Sequence, residues 1–165
     1  MEKQTRQQVA EALKGKSFTH AVDLGCGYGE VASLLKKHCS YLVGVDKDTF
    51  RAVMSGNNKF YDLLIQQDVR TWKFRPDTQA VFMFDLIEHI PPVDGVRLLE
   101  RVGDRFCIVT TPSKFETGAL NGHVCLWSED QLQLLGFTTK TYSAGYFRDK
   151  IYGKKIIAVR GSSYG

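Results

Sequence analysis

Apolar residues recur along the chain with two alternating periods. Between residues 2 and 14, Val9, Ala12 and Leu13 fall on one face of an otherwise polar stretch, which is helical spacing. Residues 20–24 form a short apolar run that ends in a cluster of glycines and reads as a strand. Val31, Leu34 and Leu35 share one face of a second helix, predicted over 30–38. Residues 41–45 and 62–66 read as strands on either side of a third helix, which Asp48 is placed to N-cap and which runs to about Asn57. Residues 80–84, Ala-Val-Phe-Met-Phe, are continuously apolar, as expected of a strand covered on both faces. After Pro91-Pro92 a helix is predicted over 93–102, closed by Gly103, and a buried strand over 106–110. The longest irregular stretch follows, 112–127. Ser128 then caps a helix that Gly136 ends, and two strands, 137–143 and 155–160, finish the chain.

This alternation predicts an α/β fold with a mainly parallel sheet and helices on both faces. The last two strands have no helix between them, so a hairpin puts an antiparallel strand in the sheet. With 165 residues and no repeat, low-complexity tract or linker, the chain reads as a single domain over 1–165. Its 43% hydrophobic and 24% charged residues exclude a disordered or fibrous chain. No run approaches the roughly 18 apolar residues that a membrane span needs, and no secretory leader is visible. Cys26, Cys39, Cys107 and Cys125 contain no Cys-x-x-Cys pair, so reduced thiols in a cytoplasmic protein are expected and a zinc site is not.

The informative segment is Val22-Asp23-Leu24-Gly25-Cys26-Gly27-Tyr28-Gly29-Glu30, set between a strand and a helix. A dinucleotide fingerprint needs glycine where Glu30 stands, and a carboxylate there repels a pyrophosphate. A phosphate-binding Gly-Lys-Ser/Thr sequence is absent. The pattern is Asp-x-Gly-x-Gly-x-Gly, whose acidic lead suits a ligand carrying positive charge. Asp46 closes the second strand, where a carboxylate can accept from both hydroxyls of a ribose. Asp68 closes the third, placed to accept from an exocyclic amine while Val69 packs on a base. Ligands of open parallel sheets bind beyond the carboxyl ends of the strands, so these acids face one crevice.

Asp23-x-Gly25-x-Gly27-x-Gly29, Asp46 and Asp68, followed by Phe84-Asp85-Leu86-Ile87-Glu88-His89-Ile90, resemble the class I S-adenosylmethionine-dependent methyltransferases, in particular the small-molecule branch with the ubiquinone-biosynthesis enzymes. The resemblance spans roughly 18–160. It implies a Rossmann-like seven-stranded sheet with an antiparallel last strand and S-adenosyl-L-methionine as cofactor. It also implies that Gly25, Cys26 and Gly27 line the methionine moiety with backbone, that Asp46 binds the ribose, and that Asp68 and Val69 hold the adenine. Asp85 and Leu86 would pass near the methionine amino group or the sulfonium. Asp23, Tyr28 and Lys47 complete the expected cofactor set.

Methyl transfer is an in-line displacement in which the protein aligns the acceptor and, for a hydroxyl, removes a proton. His89 and His123 are the candidate bases, and no metal is expected. His20 and His38 read as structural. Glu88 is either a metal ligand or, as in the family, an interior hydrogen-bonding residue. The loop over 112–127 and the N-terminal helix, 1–16, are the expected acceptor walls. Trp127 either touches the acceptor or packs on the following helix, and Lys114, Phe115, Tyr146 and Phe147 are weaker candidates for the same wall. The expected partner is a small-molecule acceptor, and a homodimer is compatible with so short a chain. Two alternatives stand: a nucleic-acid or protein methyltransferase, or a non-catalytic binding protein on this fold. An amino-methylating enzyme needs Asn/Asp-Pro-Pro-aromatic after the fourth strand, and Pro91-Pro92 comes too late for that. The formal charge of +4 is local, since Lys140, Arg148, Lys150, Lys154, Lys155 and Arg160 face only Asp149 beyond residue 136. That cluster reads either as lysines guarding a sheet edge or as a docking patch for an anionic substrate, carrier or nucleic acid, centred on Lys154 and Lys155.

Overall fold

A computed structural model describes residues 2–113, 122–147 and 150–161, with backbone alone for 145–147 and 150–152. Seven strands form one sheet: β1 (Phe18–Leu24), β2 (Cys39–Asp46), β3 (Leu63–Gln66), β4 (Ala80–Phe84), β5 (Phe106–Pro112), β6 (Thr138–Phe147) and β7 (Lys150–Arg160). Their spatial order is β3-β2-β1-β4-β5-β7-β6. All pairs from β3 to β5 are parallel, and β7 runs antiparallel to both β5 and β6. The expected α/β architecture is therefore present, with β7 as the reversed strand.

Among the described residues, five α-helices pack on the sheet: α1 (Lys3–Ala12), α2 (Ala32–Leu35), α3 (Phe50–Met54), α4 (Pro92–Val102) and α5 (Glu129–Leu134). Because side chains alternate along a strand, the sheet carries two apolar layers. Val22, Leu24, Val45, Val81 and Met83 meet Leu98, Leu99 and Val102 of α4 on one face. Ala21, Leu42, Phe82 and Ile108 meet Val9 of α1 and Leu35 of α2 on the other. β4 is buried at every position, which explains its unbroken apolar run. Among the described residues no helix is long and apolar enough to cross a membrane.

Several elements differ from the sequence expectation. The helix predicted over 30–38 is a single turn, α2, continued by a 3-10 turn (Lys36–His38), because the turns at Gly25, Gly27 and Gly29 extend the loop. Asp48 does not cap α3. Thr49 holds the N-cap position, and the Asp48 carboxylate accepts from Arg51 Nε at 3.1 Å. Asp62 precedes β3 and braces β2, accepting from Leu42 N–H at 2.7 Å and Lys36 Nζ at 2.6 Å. Ser128 does cap α5, in a reciprocal capping box with Gln131.

The basic C-terminal cluster needs the largest correction. β7 lies inside the sheet, between β5 and β6, so its lysines do not guard an edge. Lys155 is only 9% exposed and pairs with Glu2 and Asp85. Arg160 donates to the carbonyls of Leu135 and Leu99, both at 2.7 Å. Neither is available as a docking charge. Lys154 is exposed, and Arg148 lies outside the described residues.

α4 packs against Trp127 at Gly95, where an added Cβ would stand 2.6 Å from the Trp127 ring. Trp127 is 4% exposed and has little room to shift. Gly95→Ala is therefore expected to destabilise the fold by about 1–3 kcal/mol through overpacking, despite alanine's better helix propensity. Thermal denaturation of the variant checks this, and an unchanged or higher Tm would contradict the packing described.

Candidate functional site

The carboxyl ends of β1, β2, β3 and β4 open on one crevice of about 620 Å³. The first wall is the loop after β1. The N–H groups of Gly25 and Cys26 both donate to Val45 O, at 2.7 and 3.2 Å, which folds the loop back over β2. Gly25 has φ +71°, a conformation that L side chains rarely adopt, and a Cβ there would lie 2.6 Å from Leu86 Cδ1, so the position favours glycine. Asp46 fastens the loop from the other side, its Oδ2 accepting from Gly27 N–H and its Oδ1 from Asp48 N–H, both at 2.9 Å. Cys26, Tyr28 and Lys47 also line the crevice. Burial raises the Cys26 thiol far above its ordinary range, so it offers no nucleophile.

Asp23 lies at the floor and is 1% exposed. Tyr61 OH donates to its Oδ2 at 2.6 Å. Burial pushes its carboxyl up to about 7, against the Tyr61 hydrogen bond and with the Asp46 charge adding to the rise. The acid expected to face a cationic ligand is thus also committed to a buried tyrosine. Gly44 admits that ring, since a Cβ there would meet Tyr61 at 2.9 Å. Tyr61 stands alone before β3 in the sequence, and nothing local marks it.

Asp68 caps the 3-10 turn (Val69–Thr71) through Arg70 N–H at 2.9 Å, and it also binds the Arg70 guanidinium at 2.5 Å. Those hydrogen bonds hold its carboxyl below the usual range. Val69 is nearly buried and lines the crevice beside it. Arg70, absent from the sequence-based set, also reaches Asp94 at 3.7 Å.

The β4 end forms the remaining wall. Asp85 has φ 49°, the one positive φ at a non-glycine among the described residues. Its N–H donates to Thr110 O at 2.9 Å, Thr110 Oγ1 lies 3.3 Å from its Oδ1, and Lys155 Nζ lies 2.6 Å from its Oδ2. Leu86 packs on Gly25 as noted. Glu88 is fully buried; Thr111 Oγ1 donates to its Oε2 at 3.1 Å, while its Oε1 has no hydrogen-bond partner among the described residues. Burial, with Asp85's charge second, pushes its carboxyl up to about 8. His89 lines the crevice, its Nδ1 3.1 Å from Gly122 O, and its ring meets that of His123 edge-on at 4.7 Å.

The structure therefore brings both candidate histidines together, and Glu88 with them. One ligand-capable atom from each of Glu88, His89 and His123 lies within 4.8 Å of the others, a set chemically suited to a divalent cation. The segment bearing His123 is fixed by Val124 N–H to Glu88 O at 2.8 Å and Trp127 Nε1 to Ile87 O at 3.1 Å. Trp127 is buried against Gly95 of α4, the helix before it and not the one that follows, and it is not among the residues that line the crevice. His38 Nδ1 lies 2.9 Å from Lys16 O and His20 lies 3.8 Å from Asp77, so both are away from the crevice. Lys114 and Phe115, and the side chains of Tyr146 and Phe147, lie outside the described residues.

A family model described as a methyltransferase domain matches residues 22–104, half of the chain, and the chain belongs to this family. It is a class I enzyme fold whose cofactor is S-adenosyl-L-methionine. No curated protein matches it significantly. Among solved structures, the N-methyltransferase NodS from Bradyrhizobium japonicum WM9 shares 12% identity at TM-score 0.73, with 96% of each chain covered. Magnesium protoporphyrin IX methyltransferase from Synechocystis PCC 6803, with bound S-adenosyl-l-homocysteine (SAH), shares 18% identity at TM-score 0.70 over 96% of this chain and 82% of that one. The small RNA methyltransferase HEN1 shares 18% at TM-score 0.70, over 98% of this chain and a quarter (25%) of the HEN1 chain. At these identities the likeness is one of fold.

The raised carboxyl of Asp23 makes a prediction about stability. A folded-state value near 7, above the ordinary 3.8, means that its favourable contribution is complete below about pH 4 and is lost as pH rises through 7. Asp23→Asn keeps an acceptor for Tyr61 and removes the titration. Its Tm should fall less than that of the unaltered chain between pH 5 and pH 8, measured by thermal scans at matched ionic strength.

Proposed function

We propose that the protein transfers the methyl group of S-adenosylmethionine to a hydroxyl oxygen held beside Glu88, His89 and His123. The observation that carries this reading is the convergence of those three side chains on the β4 end, with one Glu88 oxygen buried and without a partner among the described residues. In this reading the backbone of Gly25–Gly27 lines the methionine moiety and Asp46 accepts from the ribose hydroxyls. Asp68 and Val69 flank the adenine, and Tyr28 and Lys47 border the nucleoside. Asp85 and Leu86 pass the sulfonium. An imidazole of His89 or His123 takes the hydroxyl proton as the C–O bond forms, and the S–C bond breaks with its electron pair returning to sulfur.

The ligand set favours a second reading of the same step. Glu88, His89 and His123 would hold a divalent cation, which when bound supplies Lewis acidity that lowers the pKa of a coordinated hydroxyl. A buried carboxyl raised to about 8 beside two imidazoles fits a group whose charge is completed by a cation.

A small hydroxylated molecule is the primary acceptor. Arg70, Arg97 and Arg101 face Asp94 and Glu100 around a second hollow of about 500 Å³ that shares Arg70 with the crevice. The three arginines on this hollow support a phosphate-bearing acceptor such as an RNA ribose as the alternative; one fold neighbour is named a small RNA methyltransferase.

The test is methyl transfer from labelled S-adenosylmethionine to hydroxylated small molecules and to short RNA, with chelator and with added Mg²⁺ or Mn²⁺. Methylated oxygen in either acceptor supports the proposal, and transfer to nitrogen alone would overturn it. Activity lost to chelator and restored by metal selects the cation reading, whereas chelator-resistant activity selects the imidazole base. Asp46→Ala should weaken S-adenosylmethionine binding roughly 10- to 100-fold, since hydrogen bonds to a charged acceptor contribute about 1.5–3 kcal/mol. Calorimetry reads this directly, and near-normal affinity would contradict the cofactor placement.

A further inference from the structure

We infer that Lys155 is a positioning residue that sets the charge presented to the cofactor's sulfonium at the β4 end, and that Glu2 couples the N-terminal segment to it. The inference rests on the cofactor reading above. Lys155 projects from β7, 9% exposed, with Nζ 2.6 Å from Asp85 Oδ2 and 3.1 Å from Glu2 Oε2. The Glu2 oxygen also accepts from Thr5 Oγ1 at 3.0 Å, and Thr5, fully buried, accepts from Tyr142 OH at 2.9 Å. Asp85 is gripped on its other side by Thr110 in a backbone conformation that non-glycine residues seldom adopt. The network thus joins residue 2, the interior strand β7 and the cavity wall. The same N-terminal turn reaches the opposite wall, where the Arg6 guanidinium donates to Glu30 O.

The charge count gives this network a chemical consequence. Two carboxylates around one ammonium leave a single negative charge. Methyl transfer converts a cationic sulfonium into a neutral thioether, so positive charge on sulfur is dispersing at the transition state. A carboxylate freed of its partner at the cavity wall would hold the reactant more strongly than the transition state or the product, and binding of that kind does not accelerate the step. Lys155 keeps Asp85 from acting in this way while fixing its orientation. Removing Lys155 makes the wall more negative by one charge, and removing the Glu2 charge makes it less negative by one. The two changes should shift the preference for S-adenosylmethionine over SAH in opposite directions.

The experiment is calorimetric titration of the full chain with both ligands. Lys155→Met should raise the ratio of the SAH to the S-adenosylmethionine dissociation constant roughly tenfold, with Lys155→Arg restoring it. Glu2→Gln, at a partly exposed site that should leave folding intact, should lower that ratio severalfold and serves if Lys155→Met does not fold. A lysine with only a structural role would weaken both ligands alike. Unchanged ratios in the folded variants would therefore overturn the inference, while failure of the unaltered chain to bind S-adenosylmethionine would overturn the cofactor reading and this inference with it.

Discussion

β1 is hydrogen-bonded to β2 on one side and to β4 on the other. The chain leaves β1 towards one edge of the sheet and later returns to fill the opposite side. The loops after β1 and β4 therefore part from each other, and a gap opens where they separate. Parallel pairing brings the carboxyl ends of β1 to β4 to the same edge, so residues far apart in sequence line that gap. The glycine turn, Asp46, Asp68 and Asp85 are neighbours for this topological reason.

Four aspartates converging on one crevice repel one another, and each is held by a different device. Asp23 is buried and receives a tyrosine hydroxyl. Asp46 receives main-chain N–H groups of the loop that it secures. Asp68 is matched by an arginine two residues away, and Asp85 by a lysine from the far strand of the hairpin. The acids differ accordingly in character, from a carboxyl that titrates near neutrality to one held well ionised. A crevice built this way presents graded rather than uniform negative charge.

What could be read from the sequence divides along the same line as local and long-range interactions. β4 is predicted to the residue because unbroken burial leaves an unbroken apolar run, and Ser128 is recognisable because capping is completed within four residues. The glycine loop and Asp46 are legible through their spacing along the chain. Tyr61, Arg70 and Lys155 escape notice since their partners are supplied by tertiary structure. Lys155 reads as surface charge, for an ammonium looks the same in sequence whether water or two carboxylates surround it. The length of α2 and the cap of α3 fail for a related reason: consecutive glycine turns and the Asp46 carboxylate reshape the backbone just before each helix.

His123 is mounted on a segment that is part of the folded core, tied to Glu88 and Ile87 by main-chain and indole hydrogen bonds and seated on Gly95 of α4. If the proposed acceptor site is the one used, preassembly of this kind couples acceptor preference to the folding equilibrium. Substitutions at 122–128 that reshape the proposed acceptor side would also disturb the Trp127 contacts with Gly95 of α4 and with Ile87. A lineage, or a directed-evolution campaign, seeking a new acceptor through this segment would first have to accumulate stabilising changes elsewhere.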